Sequence, residues 1–131
     1  MTRSRLGVPR SSPRREPRRE KRIDQEILLD AYNPQERALS WYYHLEQRLR
    51  FPFRAKCISS AVTSPLRVGQ IITITRMAAE DDCEHDMNVF THLDQRRIAV
   101  PLAQLQPIQV DADTAEAIAD WHYWRNRRYQ F

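Results

Sequence analysis

Residues 53–109, FRAKCISSAVTSPLRVGQIITITRMAAEDDCEHDMNVFTHLDQRRIAVPLAQLQPIQ, carry the reading that decides the fold. Short runs rich in β-branched and aromatic residues recur there, separated by turn chemistry, which is the pattern of strands rather than helices. FRAKCIS predicts a first strand, with Ser64-Pro65 as a turn. VGQIITITRM predicts a second, placing Val68, Ile72 or Ile71, and Ile74 inward around Gly69. MNVFTHL follows an acidic loop as a third strand, and Asp94-Gln95-Arg96 makes a tight return into RIAV. PLAQL is too short for a full helix and fits one 3₁₀ turn, after which QPIQV closes the sheet. Five short strands with a one-turn helix before the last predict a small SH3-like β-barrel, hence an α+β fold.

On either side the period changes to that of helices. Upstream, residues 23–50 form a helical segment: Ile23, Ile27 and Ala31 stand at i, i+4 and i+8, although Leu28-Leu29 leaves a strand open there. In YNPQERALSWYYHLEQRLR, Asn33 is a good N-cap, Pro34 suits the first helical position, and Glu36 completes a capping box. Ala38, Tyr42, Leu45 and Leu49 mark the buried stripe, and Phe51-Pro52-Phe53 ends the helix. Downstream, Asp113 with Glu116 predicts the cap of a final helix over 113–127. Ala117, Trp121, Trp124 and Arg128 fall on one stripe, widened by Ile118, and the tryptophans are expected to pack on the barrel.

The charge distribution divides the chain. Residues 1–22 hold nine Arg/Lys against two Asp/Glu, while residues 23–131 hold twelve against fifteen, so the chain's net +4 and pI of 9.4 describe an arm rather than the body. The arm, residues 1–22, has three prolines and almost no apolar side chains. It is expected to be disordered and to act as a solvating tail, or to make weak, non-specific contact with nucleic-acid phosphates. Nothing in the sequence is apolar enough to span a membrane. The N-terminus lacks the apolar core of a secretory signal, and two cysteines make no disulfide framework, so a reducing cytoplasm is the expected compartment.

The chemistry concentrates in AAEDDCEHD, where Glu80, Asp81, Asp82, Glu84 and Asp86 stand within seven residues. So many anions repel one another unless a cation sits among them, and Ca²⁺, taking six to eight oxygens with flexible geometry, suits such a loop best. An EF-hand is excluded, because counting from Glu80 the positions that need glycine and glutamate hold His85 and Thr91. A zinc reading through Cys83, His85, Cys57 and His92 lacks the two tight ligand pairs of structural zinc. Further carboxylates, Glu26 with Asp30 and Asp113 with Glu116 and Asp120, read as solvated helix faces. No catalytic motif appears: Gly69 is the only glycine after the arm, so no phosphate-cradling loop exists, and Asp120 and His122 point to different sides of a helix.

These stretches resemble a family. EILLDAY, ERALSWYYHLE, LRFPFRAKC, SPLRVG, M-x-x-E-D-D-C, AVPLAQLQPI and AIADWHYW, spread from about Ile23 to Phe131, are similar to the small calcium-binding proteins of the CcbP type found in cyanobacteria and other bacteria. The resemblance implies a cytoplasmic, non-enzymatic protein that binds Ca²⁺ through surface carboxylates, as a buffer or sensor in calcium signalling. The acidic positions that match are Asp30, Glu36, Glu46, Glu80, Asp81, Asp82 and Glu84. Asn33-Pro34-Gln35 and Leu45-Glu46-Gln47 depart from it where further acidic residues are expected, implying a weaker site. The expected metal ligands are therefore Glu80, Asp81, Asp82, Glu84 and Asp86, with Asp30 and Glu36. The alternative is an SH3-like interaction module whose arm binds nucleic acid or an acidic partner.

Overall fold

A computed structural model describes residues 14–127 and 131. Three α-helices, α1 (Pro17–Arg22), α2 (Pro34–Arg48) and α3 (Ala112–Asn126), accompany five strands: β1 (Phe53–Cys57), β2 (Ile71–Met77), β3 (Asn88–Leu93), β4 (Arg96–Pro101) and β5 (Leu105–Ile108). The strands form one antiparallel sheet in the order β4-β3-β2-β1-β5. The α+β class and the five strands stand as expected. The barrel does not: the sheet is open, with β4 and β5 as its edges. Its strands are four to seven residues long. Its inward face is covered by helices instead of by a second half of the sheet.

That inward face comes from simple alternation. Phe53, Ala55 and Cys57 of β1 are buried, as are Ile72, Ile74 and Met77 of β2, Val89 and Thr91 of β3, and Val100 of β4. Ile71 and Val68, both expected inward as alternatives or neighbours of Ile72, are exposed. A register shift between Ile74 and Arg76 lets Met77 return to the core side. The β3–β4 return is tight because Asp94 and Gln95 both take positive φ, 51° and 65°, as a two-residue hairpin turn with the sheet's twist requires.

Helix α2 begins as its sequence dictates. Asn33 Oδ1 accepts from the Glu36 amide at 2.8 Å, and Glu36 Oε1 reaches back to the Tyr32 amide at 2.8 Å. Replacing Asn33 with Ala should lower stability by about 1 kcal/mol, measured by urea unfolding. An unchanged midpoint would show that the cap contributes nothing. Ala38, Trp41, Tyr42 and Leu45 of α2 are buried, as are Ala117, Ile118, Trp121 and Trp124 of α3, and Trp41 meets Trp121 and Trp124 between the helices. The cap of α3 is Asp111 rather than Asp113: it accepts from the Thr114 amide at 3.1 Å and from the Thr114 hydroxyl at 2.6 Å. Glu116 closes no capping box and lies 3.8 Å from Arg22 instead. Arg128, expected on the same stripe, lies outside the described residues.

Helical structure also begins before Ile23. Residues 1–13 lie outside the described residues, but Pro17–Arg22 is a helix, continued by a π-type turn over Ile23–Ile27. Polar contacts with α3 hold it. Arg19 Nη1 and Arg22 Nη2 each lie 2.6 Å from Asp120 Oδ1, and the Arg22 Nε–H donates to Asp120 Oδ2 at 3.2 Å. The Tyr123 hydroxyl accepts from the Glu16 amide at 3.0 Å and donates to Glu20 at 2.7 Å. Asp120, expected on a solvated face, is 1% exposed.

Candidate metal-binding cleft

The acidic loop between β2 and β3 is held from beneath. The Asp82 amide donates to the Ala79 carbonyl at 2.8 Å, winding Glu80–Cys83 into a 3₁₀ turn. The Asn88 side-chain amide donates to the Asp82 carbonyl at 2.8 Å, and the Asn88 backbone amide donates to Cys83 Sγ at 3.4 Å. Cys83 is buried as the turn's anchor, so the neighbouring carboxylates are turned to water: Glu80, Asp81, Asp82 and Glu84 are all exposed. Desolvation pushes the Cys83 thiol up to about 11, which keeps it a neutral packing group and not a thiolate ligand. The zinc pairing with exposed His85 gains no support from this arrangement.

A cleft of about 750 Å³ opens beside this turn. Glu80, Asp81 and Glu84 form one lip, and Pro34 and Gln35, at the start of α2, form the other. Its floor is aromatic. Trp121, Trp124 and Phe131 stack with ring centroids 5.5–5.9 Å apart. Two tyrosines fix α2 to the loop: Tyr42 donates to the Ala78 carbonyl at 2.9 Å, and Tyr43 donates to Glu80 Oε1. That bond to Glu80 is the first cause of the raised pKa of the Tyr43 phenol.

The seven expected ligands therefore separate. Glu80, Asp81 and Glu84 share the cleft, while Asp82 stands on the same turn outside its lining. Asp86 is half-buried and answered by Arg125 of α3, whose guanidinium donates to it at 3.3 Å. Burial raises its pKa, and Arg125 works against that rise. Glu36 is engaged in the α2 capping box, and Asp30 is exposed away from the cleft. No three His, Cys, Asp or Glu side chains converge as a ready-made metal cage among the described residues. In kind the lip suits Ca²⁺, since its carboxylates offer hard oxygens and Cys83 is held as a neutral thiol. In geometry its carboxylates are not preassembled. Gln35, Tyr43 and Arg125 complete the site. Only Gln35 had a sequence signal, standing where a further acidic residue was expected.

The CcbP family model, described as calcium binding, matches residues 21–125. The crystal structure of Anabaena CcbP is 38% identical, covering 92% of this chain and 99% of its own, with a TM-score of 0.81. A calcium binding protein in the calcium-binding form is also 38% identical, covering 89% of this chain and 96% of its own, with a TM-score of 0.80. No curated protein matches.

Proposed function

Because the chain belongs to the CcbP family of calcium-binding proteins, we propose that its Ca²⁺ is taken at the cleft lip by Glu80, Asp81 and Glu84, with Asp82 adjoining. The observation that carries this reading is the exposure of these carboxylates around one cleft, on a turn anchored by buried Cys83 and by Asn88. Calcium binding is the function of the family, which is not an enzyme family. Bound Ca²⁺ would neutralise the mutual repulsion of the turn. The chain's own residues supply the frame: Asn88 fixes the turn's carbonyl, and Tyr42 and Tyr43 hold it against α2. Asp86 belongs to this frame through Arg125, and Glu36 belongs to the α2 cap, so neither serves as a ligand. Gln35 offers a neutral oxygen where a carboxylate would bind more strongly, and affinity follows ligand charge. The protein therefore acts as a modest-affinity buffer or sensor. No helix among the described residues is long and apolar enough to cross a membrane, and a cytoplasmic location accords with that and with two free cysteines.

The test is a melt with and without Ca²⁺. At a concentration about 100 times its Kd, calcium should add about 2.7 kcal/mol to stability. The triple variant Glu80→Gln, Asp81→Asn, Glu84→Gln should lose that gain and, without metal, be as stable as the wild type or slightly more so. Magnesium should do far less, since it keeps its waters and wants a smaller octahedral site. Equal calcium responses in both proteins would move the site elsewhere.

A further inference from the structure

Charge on this molecule is sorted by element. Five of the twelve Lys and Arg of residues 23–131 stand on strands, and none of the fifteen Asp and Glu does. The solvent face of the sheet gathers most of these cations. Arg54 and Lys56 of β1 alternate with buried neighbours, and cross-strand register places Arg54 beside Thr73 and Lys56 beside Ile71. Arg76 of β2 pairs with Phe90 of β3, Phe90 with Ala99 of β4, and His92 with Arg97. Arg54, Lys56, Arg76 and Arg97 are exposed, and among the described residues none makes an ion pair with a carboxylate. A face kept only for solubility would interleave both signs. This one holds a single sign across four adjacent strands, a breadth of roughly 15 Å at ~4.8 Å per strand interval.

The face also has an aromatic element. The Arg97 guanidinium lies over the Phe90 ring, 4.3 Å from its centroid, with His92 opposite Arg97 in register. Ile71, 49% exposed, adds an apolar contact on the same side. A guanidinium seated over an aromatic ring has its outer side free for stacking, and a nucleobase uses the guanidinium plane where a carboxylate cannot.

We propose that this solvent face of the sheet binds single-stranded nucleic acid, with Arg54, Lys56 and Arg76 on the phosphates and a base stacked on Arg97. The site lies on the opposite side of the sheet from the helices and is distinct from the basic arm. Binding should be salt-dependent and tolerant of sequence, because charge and stacking carry it.

The experiment is fluorescence anisotropy of the full chain with labelled oligothymidine and with single-stranded RNA of about a dozen nucleotides, in the range of known site sizes. A duplex and polyglutamate are run alongside. The variant Arg54→Gln, Lys56→Gln, Arg76→Gln, Arg97→Gln should bind at least ~100-fold more weakly and flatten the log-log salt slope by about 2, near 0.7 for each of the three phosphate contacts removed. Its melting temperature and calcium response should stay as in the wild type, which establishes that it is folded. Arg97→Lys keeps the charge and loses the plane. It should weaken binding ~5–10-fold without changing the slope. The proposal is overturned if the quadruple variant binds within ~2-fold of the wild type, which would assign binding to the arm. Duplex or polyglutamate binding as tight as the single strand would overturn it too, by leaving a general polyanion or acidic-protein surface. So would an Arg97→Lys variant indistinguishable from the wild type.

Discussion

A chain beginning at Ile23 is expected to melt ~10–15 °C below the full protein, a loss of about 3 kcal/mol. The cause is Asp120. Its side chain is 2% exposed and receives both Arg19 and Arg22 at 2.6 Å. Removing both cations strands a buried carboxylate, the costly way to break a buried pair. The figure sits at the lower end of the range for such pairs because the arginine side chains are 23% and 27% exposed, so water enters the vacated space. Asp120→Asn in the shortened chain should recover a large part of the loss, since an amide is far cheaper to leave there than a charge. A shortened chain melting within ~2 °C of the full one would show that α1 is an accessory and that Asp120 finds other solvation.

Replacing Trp41 with Ala is expected to cost about 3–5 kcal/mol, a large effect for a single residue. Trp41 has no exposure, and its ring meets Trp121 edge-on at 5.1 Å and Trp124 at 5.6 Å. Its truncation empties the junction of α2 and α3 directly under the cleft. Trp41→Phe should lose much less, about 1–2 kcal/mol. It keeps an aromatic edge, and it deletes an indole N–H that is buried with no hydrogen-bond partner. Urea midpoints at unchanged slope measure both. If the two variants cost the same, volume at this junction is not what stabilises it.

What the sequence disclosed and what it hid divide along the range of the interactions. Asn33, Pro34 and Glu36 announced α2 because the cap is completed within four residues. The strands and the Asp94-Gln95 turn were legible for the same reason. Sheet closure was not: it depends on whether β4 and β5 meet, which no local pattern encodes. The placement of α1 was hidden more deeply. Its composition reads as disorder because it lacks apolar residues, yet its contacts with Asp120 and Tyr123 are polar and span about a hundred residues of sequence. Asp120 in turn looked like one of an acidic line, with nothing nearby to reveal a cation above it. At the cleft, the density of carboxylates in 80–86 was plain, but their division was not. Arg125, nearly forty residues away, withdraws Asp86, and the cap withdraws Glu36.

An open sheet leaves two borders on which another polypeptide could continue the ladder, and this chain guards both. On β5, Pro107 stands opposite Ala55 and offers no amide hydrogen to an incoming strand. On β4, Arg96 and Arg97 open the border strand with adjacent positive charges, and Pro101 ends it. Two copies approaching border to border would bring arginines against arginines or a missing donor against a carbonyl. The failure of the sheet to close is thus matched by residues that keep it from growing, and Pro107→Val together with Arg97→Thr should open both borders to strand addition, read as an increase in sedimenting aggregate.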